Sequence, residues 1–372
     1  MSNTTLILLA AGSSSRFELN IKKQWLRINH KPLWQFLADR CEETKLFAKI
    51  IIVASKDDLS FMKNYSNYTF VEGSSSRQLS LKNSLKEVES EFVLVSDIAR
   101  ACISETFLKK ILSLQGNSDC IVPYLNVVDT IVYDNETIDR DKVKRIQTPQ
   151  LSNTNVLKKA LETTEEFTDE SSAIVANGGS REFILGESNA HKITHYSDLK
   201  ELTCLNKASS DTLSGTGFDV HAFGKDTEMY LAGVKIECDY GFIAHSDGDV
   251  AIHALIDALL GAAGMGDIGM LFPDNDDQYK GIDSKKLLKI IVTKLSQYGF
   301  EIINVDLTIA AQKPRIGNYK LKMRKTLSDI LHVDMSRVNI KATTTEKLGF
   351  IGRSEGIGVI AHANLKYFDW SK

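Results

Sequence analysis

Leu6-Ile7-Leu8-Leu9-Ala10-Ala11-Gly12-Ser13-Ser14-Ser15-Arg16 stands close to the start of the chain. Its apolar run is strand-length and does not alternate with polar residues, which is the pattern of a strand buried on both faces of a parallel sheet. The run passes directly into a turn of small residues. Such a turn leaves backbone N–H groups open to a phosphate chain, and Arg16, Lys22 and Lys23 add positive charge nearby. The pattern is neither the Gly-Lys-Ser/Thr ending of a Walker loop nor the GxGxxG of dinucleotide folds. On composition alone it reads equally as a phosphate site and as a plain surface turn.

Further along, 49–54, 92–95 and 120–123 are similar apolar runs, separated by helix-length amphipathic segments. That alternation predicts a βαβ series, a Rossmann-like domain with a mainly parallel sheet covered on both faces. Ligands of such sheets bind beyond the carboxyl ends of the strands, where Asp97 follows its run and suits a Mg²⁺ ligand. The polar stretch 206–215 breaks the pattern, so the chain divides into domains 1–208 and 211–372. In the second, strands are expected at 216–220, 305–311, 338–342 and 358–367. Helices are expected at 250–263, 284–298 and 319–331, making a compact α/β domain of its own.

The 372 residues are 43% hydrophobic, enough for two cores, and the formal charge of -3 is interspersed. No general attraction to nucleic acid or anionic membrane follows. Five scattered cysteines without a CxxC pair indicate a reducing cytoplasm, and all five are read as packing residues. The run at 5–11 lacks the basic flank and length of a signal peptide, and no apolar stretch approaches membrane-spanning length.

Asp219 and His221 flank Val220, so a strand would project both to one face; His253 lies on the helix expected at 250–263. Asp, His and His form an N/O set suited to zinc with a fourth position open to substrate. Asp249, His253 and Asp257 share a helix face, and either Asp257 or Asp249 would orient His253; Asp247 and Asp249 read equally as cap and first-turn acids. Downstream, Thr343-Thr344-Thr345-Glu346 offers hydroxyl donors and a carboxylate for a hard cation.

The series Ala10-Ala11-Gly12, Arg16, Lys23-Gln24, Asp97-x-Ala99-Arg100, Asp129-Thr130, Thr148-Pro149-Gln150, Thr168-Asp169-Glu170 and Lys192-Ile193-Thr194 resembles the 2-C-methyl-D-erythritol 4-phosphate cytidylyltransferases. The resemblance implies that Gly12, Arg16 and Lys23 serve CTP, the last two stabilising charge on its α-phosphorus. It also implies that Thr130, Arg140 and Lys192 hold methylerythritol phosphate while Asp97 helps to place Mg²⁺ or Mn²⁺. Ser13 and Ser15 stand where that family has glycines, Lys22 where it has proline, and Ile98 and Ala101 interrupt its Asp-Ala-Ala-Arg-Pro.

The segments 217–223, 244–253, 266–275 and 341–353 closely resemble 2-C-methyl-D-erythritol 2,4-cyclodiphosphate synthase. By that resemblance Asp219, His221 and His253 bind Zn²⁺, His245 and Thr344 stabilise the transition state, and Glu346 ligates a second divalent ion. Asp267, Ile268, Gly269, Phe272 and Asp274 would contact the methylerythritol part. Ala311, Pro314, Thr343, Thr345, Phe350 and Arg353 would hold the cytidine diphosphate. The whole chain thus resembles a fusion of two enzymes of non-mevalonate isoprenoid synthesis, acting on CTP and methylerythritol phosphates and releasing pyrophosphate and CMP. Resemblance further implies a homo-oligomer, trimeric through the synthase and dimeric through the cytidylyltransferase, hence a hexamer. Two other readings stay open: a zinc-stabilised regulatory protein, and a nucleotidyltransferase for another polyol or sugar phosphate.

Overall fold

The computed structural model describes residues 3–372 except 226, 245, 274, 275, 277, 278 and 280. Contacts divide it into one unit of Met1–Ala208 with Asp369–Lys372, and another of Ser209–Phe368.

In the first unit the strands of the main sheet are β1 (Thr4–Leu9), β2 (Lys49–Ala54), β3 (Thr69–Glu72), β4 (Phe92–Asp97), β5 (Cys120–Asn126), β6 (Lys144–Ile146), β7 (Gln150–Asn153) and β8 (Arg181–Leu185). Their order is β6-β5-β7-β4-β1-β2-β3, with β8 also on β5. The β1, β2, β3 and β4 pairings are parallel, as the βαβ alternation predicts. The short β7 runs antiparallel between β4 and β5, an insertion that the apolar runs do not announce because its pattern, Gln-Leu-Ser-Asn, is mostly polar. Leu6, Ile7 and Leu8 are buried, since helices cover both faces of the sheet. Helices begin at side-chain caps: Ser55, Ser76, Ser104, Asn153 and Asp169 each accept a first-turn N–H. In register, Leu9 stands opposite Asp97, so the loop after β1 and the end of β4 open on the same edge.

One expectation fails here. Cys102 and Cys204 are joined in a disulfide, while Cys41, Cys120 and Cys238 are free. The pair is 102 residues apart in sequence, so only the fold brings them together. The last four residues also return to the first unit: Trp370 is buried there, and its indole N–H donates to the Arg27 carbonyl at 2.7 Å.

The second unit carries a five-stranded sheet of β9 (Leu213–Lys225), β10 (Tyr240–Phe242), β11 (Phe300–Ala310), β12 (Val338–Thr343) and β13 (Gly356–Tyr367), in the order β10-β9-β13-β11-β12. The helix Val250–Ala263 is apolar nearly all round and lies over β9 and β13. Its closeness has a cause: a Cβ at Gly217 would collide with the Ala254 carbonyl oxygen, and one at Gly215 with that of Ala258. Leu307, Ile309, Val359, Ala361 and Ala363 face the covered side. On the other face Phe218 and Ile360 are exposed and Val220 is barely covered. Among the described residues no helix is long and apolar enough to cross a membrane.

Candidate active sites

In the first unit the turn after β1 and the end of β4 line a cavity of about 470 Å³ that contains Gly12, Ser14, Arg16, Lys23, Arg77, Asp97 and Lys192. The structure therefore brings together Gly12, Arg16, Lys23, Asp97 and Lys192 from among the expected residues. Lys23 is anchored by donating from Nζ to the Ile193 carbonyl at 3.0 Å. Burial first, then Lys192 and Arg16, hold its ammonium below the usual lysine range.

Asp97 is bound at both oxygens, Oδ1 by Arg77 Nε at 3.2 Å and Oδ2 by Lys192 Nζ at 2.5 Å. Burial works to raise its pKa, but Arg77 and Lys192 outweigh that and bring it to about 2. Arg77 in turn donates to the buried Glu170 at 2.6 Å. Arg77 and Glu170 were not among the residues expected to form the site. Glu170 closes the Thr168-Asp169-Glu170 motif of the resembling series, whereas the signal for Arg77 is local and weak: it directly follows the helix cap Ser76.

The serine-rich turn has its own logic. Ser14 adopts φ 60°, a left-handed conformation that favours glycine, yet its Oγ accepts the Lys23 backbone N–H at 2.9 Å. The serine thus ties the turn to the segment bearing Lys23, which a glycine would not do. Thr130 and Arg140 are exposed on the 127–146 segment, with Arg140 donating to the Val128 carbonyl at 2.7 Å. They line neither this cavity nor the adjacent one of about 340 Å³ that shows Arg100, Arg145, His191 and Lys192.

In the second unit Asp219 and His221 project from β9 toward the helix Val250–Ala263, which supplies His253. His221 Nδ1 lies 3.2 Å and His253 Nδ1 3.3 Å from Asp219 Oδ2. Asp219 Oδ1 accepts the Val220 N–H at 2.8 Å. Among the described residues, Asp219 Oδ2 and His221 Nδ1 are nonetheless buried without a hydrogen-bond partner of good geometry. Unsatisfied donors and acceptors converging at this spacing are costly unless a cation joins them, and the donor set is compatible with a divalent metal. Burial works to raise the Asp219 pKa, but the two histidines hold it well below the usual carboxylate range.

The orienting roles expected of Asp249 and Asp257 are not observed. Asp249 is fully buried and accepts N–H groups from Ala232, Gly233 and Ile252 at 2.8, 2.6 and 3.1 Å, so it caps the helix and ties down a turn. Asp257 accepts the Ile268 N–H at 2.8 Å. His253 Nε2 instead lies 3.0 Å from Ser284 Oγ and 3.2 Å from Ser246 Oγ.

A cavity of about 560 Å³ beside the three ligands is lined by Ile268, Gly269 and Phe272, while Asp267 caps the short helix Ile268–Leu271. His245 and Asp274 lie outside the described residues. Ala311, Pro314, Thr343, Thr344, Thr345, Glu346, Phe350 and Arg353 do not line this cavity. Ala311 N–H donates to the Thr343 carbonyl at 3.0 Å, Thr344 Oγ1 to Glu346 at 2.9 Å, and Arg353 pairs with Glu355. The register explains the separation. Thr343 pairs with Ala310, Ala310 with Gly358 and Gly358 with Val220, so Thr343 shares the face of Val220 rather than that of Asp219. Three strand spacings, roughly 14 Å, also lie between β9 and β12.

Comparison with known proteins finds the same division. Residues 4–204 match the family described as 2-C-methyl-D-erythritol 4-phosphate cytidylyltransferase, and residues 213–366 match the YgbB family. The bifunctional enzyme IspD/IspF of Sulfurimonas denitrificans is 73% identical over 368 residues, covering 99% of this chain and 95% of the relative. That of Aliarcobacter butzleri is 52% identical over 373 residues and covers all of both chains. Among solved structures, the bifunctional IspDF from Campylobacter jejuni superposes with a TM-score of 0.91 at 47% identity, covering 100% of each chain.

Proposed function

The chain belongs to the bifunctional IspD/IspF enzymes of isoprenoid synthesis, with a cytidylyltransferase and a cyclodiphosphate synthase domain, and on that premise we propose which residues carry each reaction. We assign the first activity to residues 1–208 and the second to 211–372.

In the first, the triphosphate of CTP lies along the 12–16 turn. Arg16 and Lys23 neutralise charge on the α-phosphorus while a phosphate oxygen of methylerythritol phosphate attacks it and pyrophosphate leaves. Lys192 grips the acceptor, and Asp97, clamped by Arg77, holds Lys192 in place. Mg²⁺ or Mn²⁺ would arrive with the triphosphate. Both Asp97 oxygens already carry cationic partners, Arg77 and Lys192.

In the second, Zn²⁺ is the metal that Asp219, His221 and His253 would hold. Ligand atoms 2.0–2.1 Å from a tetrahedral ion stand roughly 3.3–3.4 Å apart, close to the 3.2 and 3.3 Å found here. When bound, zinc supplies Lewis acidity and a template for the diphosphate. The 2-phosphate oxygen of the substrate attacks the β-phosphorus, the ring closes and CMP leaves. His245 and Thr344 stabilise the transition state, and Glu346 takes a second divalent ion. Asp267, Ile268, Gly269, Phe272 and Asp274 surround the methylerythritol part; Ala311, Pro314, Thr343, Thr345, Phe350 and Arg353 surround the cytidine diphosphate. The observation that carries this reading is the convergence of His221 and His253 Nδ1 on the unpartnered Asp219 Oδ2.

Because Thr343 stands on the sheet face of Val220 while Asp219 stands on the other, we assign the completion of each site to a neighbouring copy. The exposed Phe218, Val220 and Ile360 support a trimer built on that open face. Thr130 and Arg140, on an exposed segment outside their own cavity, serve a second copy in the same way, so dimers of trimers, a hexamer, follow. A cytoplasmic location supplies the CTP. Following ³¹P resonances with CTP, Mg²⁺ and methylerythritol phosphate, and separately with the 2-phosphorylated diphosphocytidyl substrate, tests both assignments. Absence of the diphosphate or of the cyclic product would overturn the corresponding one.

A further inference from the structure

Resting on the metal assignment above, we infer that Asp247 and Ser284 form a relay that sets the tautomer and aim of His253, making them positioning residues for the synthase reaction. Proton accounting carries the argument. Ser284 Oγ donates to Asp247 Oδ1 at 2.5 Å, and the Ser284 backbone N–H donates to Asp247 Oδ2 at 3.1 Å, so the carboxylate accepts from this serine twice. A serine hydroxyl has one hydrogen, and here Asp247 takes it. The oxygen that remains, 3.0 Å from His253 Nε2, is an acceptor. His253 therefore keeps its proton on Nε2 and presents a lone pair at Nδ1, the atom 3.3 Å from Asp219 Oδ2.

The relay joins three pieces of chain. Ser284 is fully buried at the start of the helix Ser284–Gln297, Asp247 lies in the turn before the helix Val250–Ala263, and His253 stands on that helix. Asp247 is further held by its own N–H donating to the Ile282 carbonyl at 3.2 Å. Ser246 Oγ lies 3.2 Å from the same histidine nitrogen and accepts the Gly248 N–H at 3.1 Å.

The test uses the full chain and Zn²⁺ or Co²⁺ alone. Chelator competition should show Ser284→Ala binding metal about 10- to 100-fold more weakly than the wild type, as loss of an outer-shell partner does. The visible spectrum of its Co²⁺ form should also change. Ser284→Thr keeps the hydroxyl and should restore both. Asp247→Asn still accepts the serine proton and should fall between. Far-ultraviolet circular dichroism and thermal midpoints of the metal-free variants separate a folding defect, which Ser284→Thr would not repair selectively, from a lost relay. Unchanged affinity and an unchanged Co²⁺ spectrum in Ser284→Ala would overturn the relay while leaving the metal site standing. A wild type that binds neither ion would overturn the metal site and the relay with it.

Discussion

Gly217 lies so close beneath Ala254 that a side chain on the glycine would run into the helix carbonyl oxygen. This contact sets how near His253 comes to Asp219, two residues along the strand. Gly217→Ala should therefore cost about 1–3 kcal/mol by overpacking and should weaken metal binding by pushing the helix outward. Thermal unfolding and metal content of the purified variant check both; a normal zinc stoichiometry and affinity would show that the spacing is not set there.

His221→Ala removes one of two histidine nitrogens converging on Asp219 Oδ2. Metal and cyclisation should both be lost while pyrophosphate release from CTP continues. Metal analysis beside the two assays decides it, and full occupancy in the variant would remove His221 from the ligand set.

Lys23 lines the cavity of the first unit with its ammonium tethered to the Ile193 carbonyl. Lys23→Ala should lower cytidylyl transfer by roughly two to three decades and leave cyclisation intact. Pyrophosphate release measured beside CMP release from the cyclisation substrate is the comparison; equal loss of both would contradict separate sites.

Asp97 gives a pH dependence whose sign follows from its partners. Its pKa is brought to about 2 in the folded chain by Arg77 and Lys192 acting against burial, below an unfolded value of about 3.9. The stabilisation is therefore complete above about pH 4 and is lost as pH falls through about 2, a change of about 2 kcal/mol. Urea unfolding of the first unit at pH 4, 3 and 2 should show that decline, and Asp97→Asn should be less stable at neutral pH with a flatter dependence in this window.

Trp370 is buried in the first unit although the second unit precedes it in sequence. Trp370→Ala should destabilise the first unit by about 3–5 kcal/mol, with the Zn²⁺ affinity of the second unit unchanged. Limited proteolysis followed by mass spectrometry would show which unit opens first.

Much of the fold was legible because periodicity is a local property. The helix Val250–Ala263 has the bounds expected of it, and the strand 49–54 likewise. The antiparallel β7 carries no such signal, because its short polar pattern gives no period. At the candidate metal site, the i, i+2 spacing of Asp219 and His221 already specified one strand face, and the fold brings both beside His253 in a set compatible with a divalent metal. The partner of His253 could not be read from spacing. Helical spacing favoured Asp249 or Asp257, but those carboxylates are engaged by backbone N–H groups, and the histidine meets Ser284, 31 positions later in sequence.

By itself, then, the sequence determined most of the element types and the family character of its two halves, because those properties depend on neighbours a few positions apart. Tertiary structure decided which side chains meet: Arg77 with Asp97 and Glu170, Cys102 with Cys204, Trp370 with Arg27, and Asp247 through Ser284 with His253. Those pairings depend on sheet order, register and helix approach, and approach was set at places such as Gly217 where the absence of an atom controls a distance.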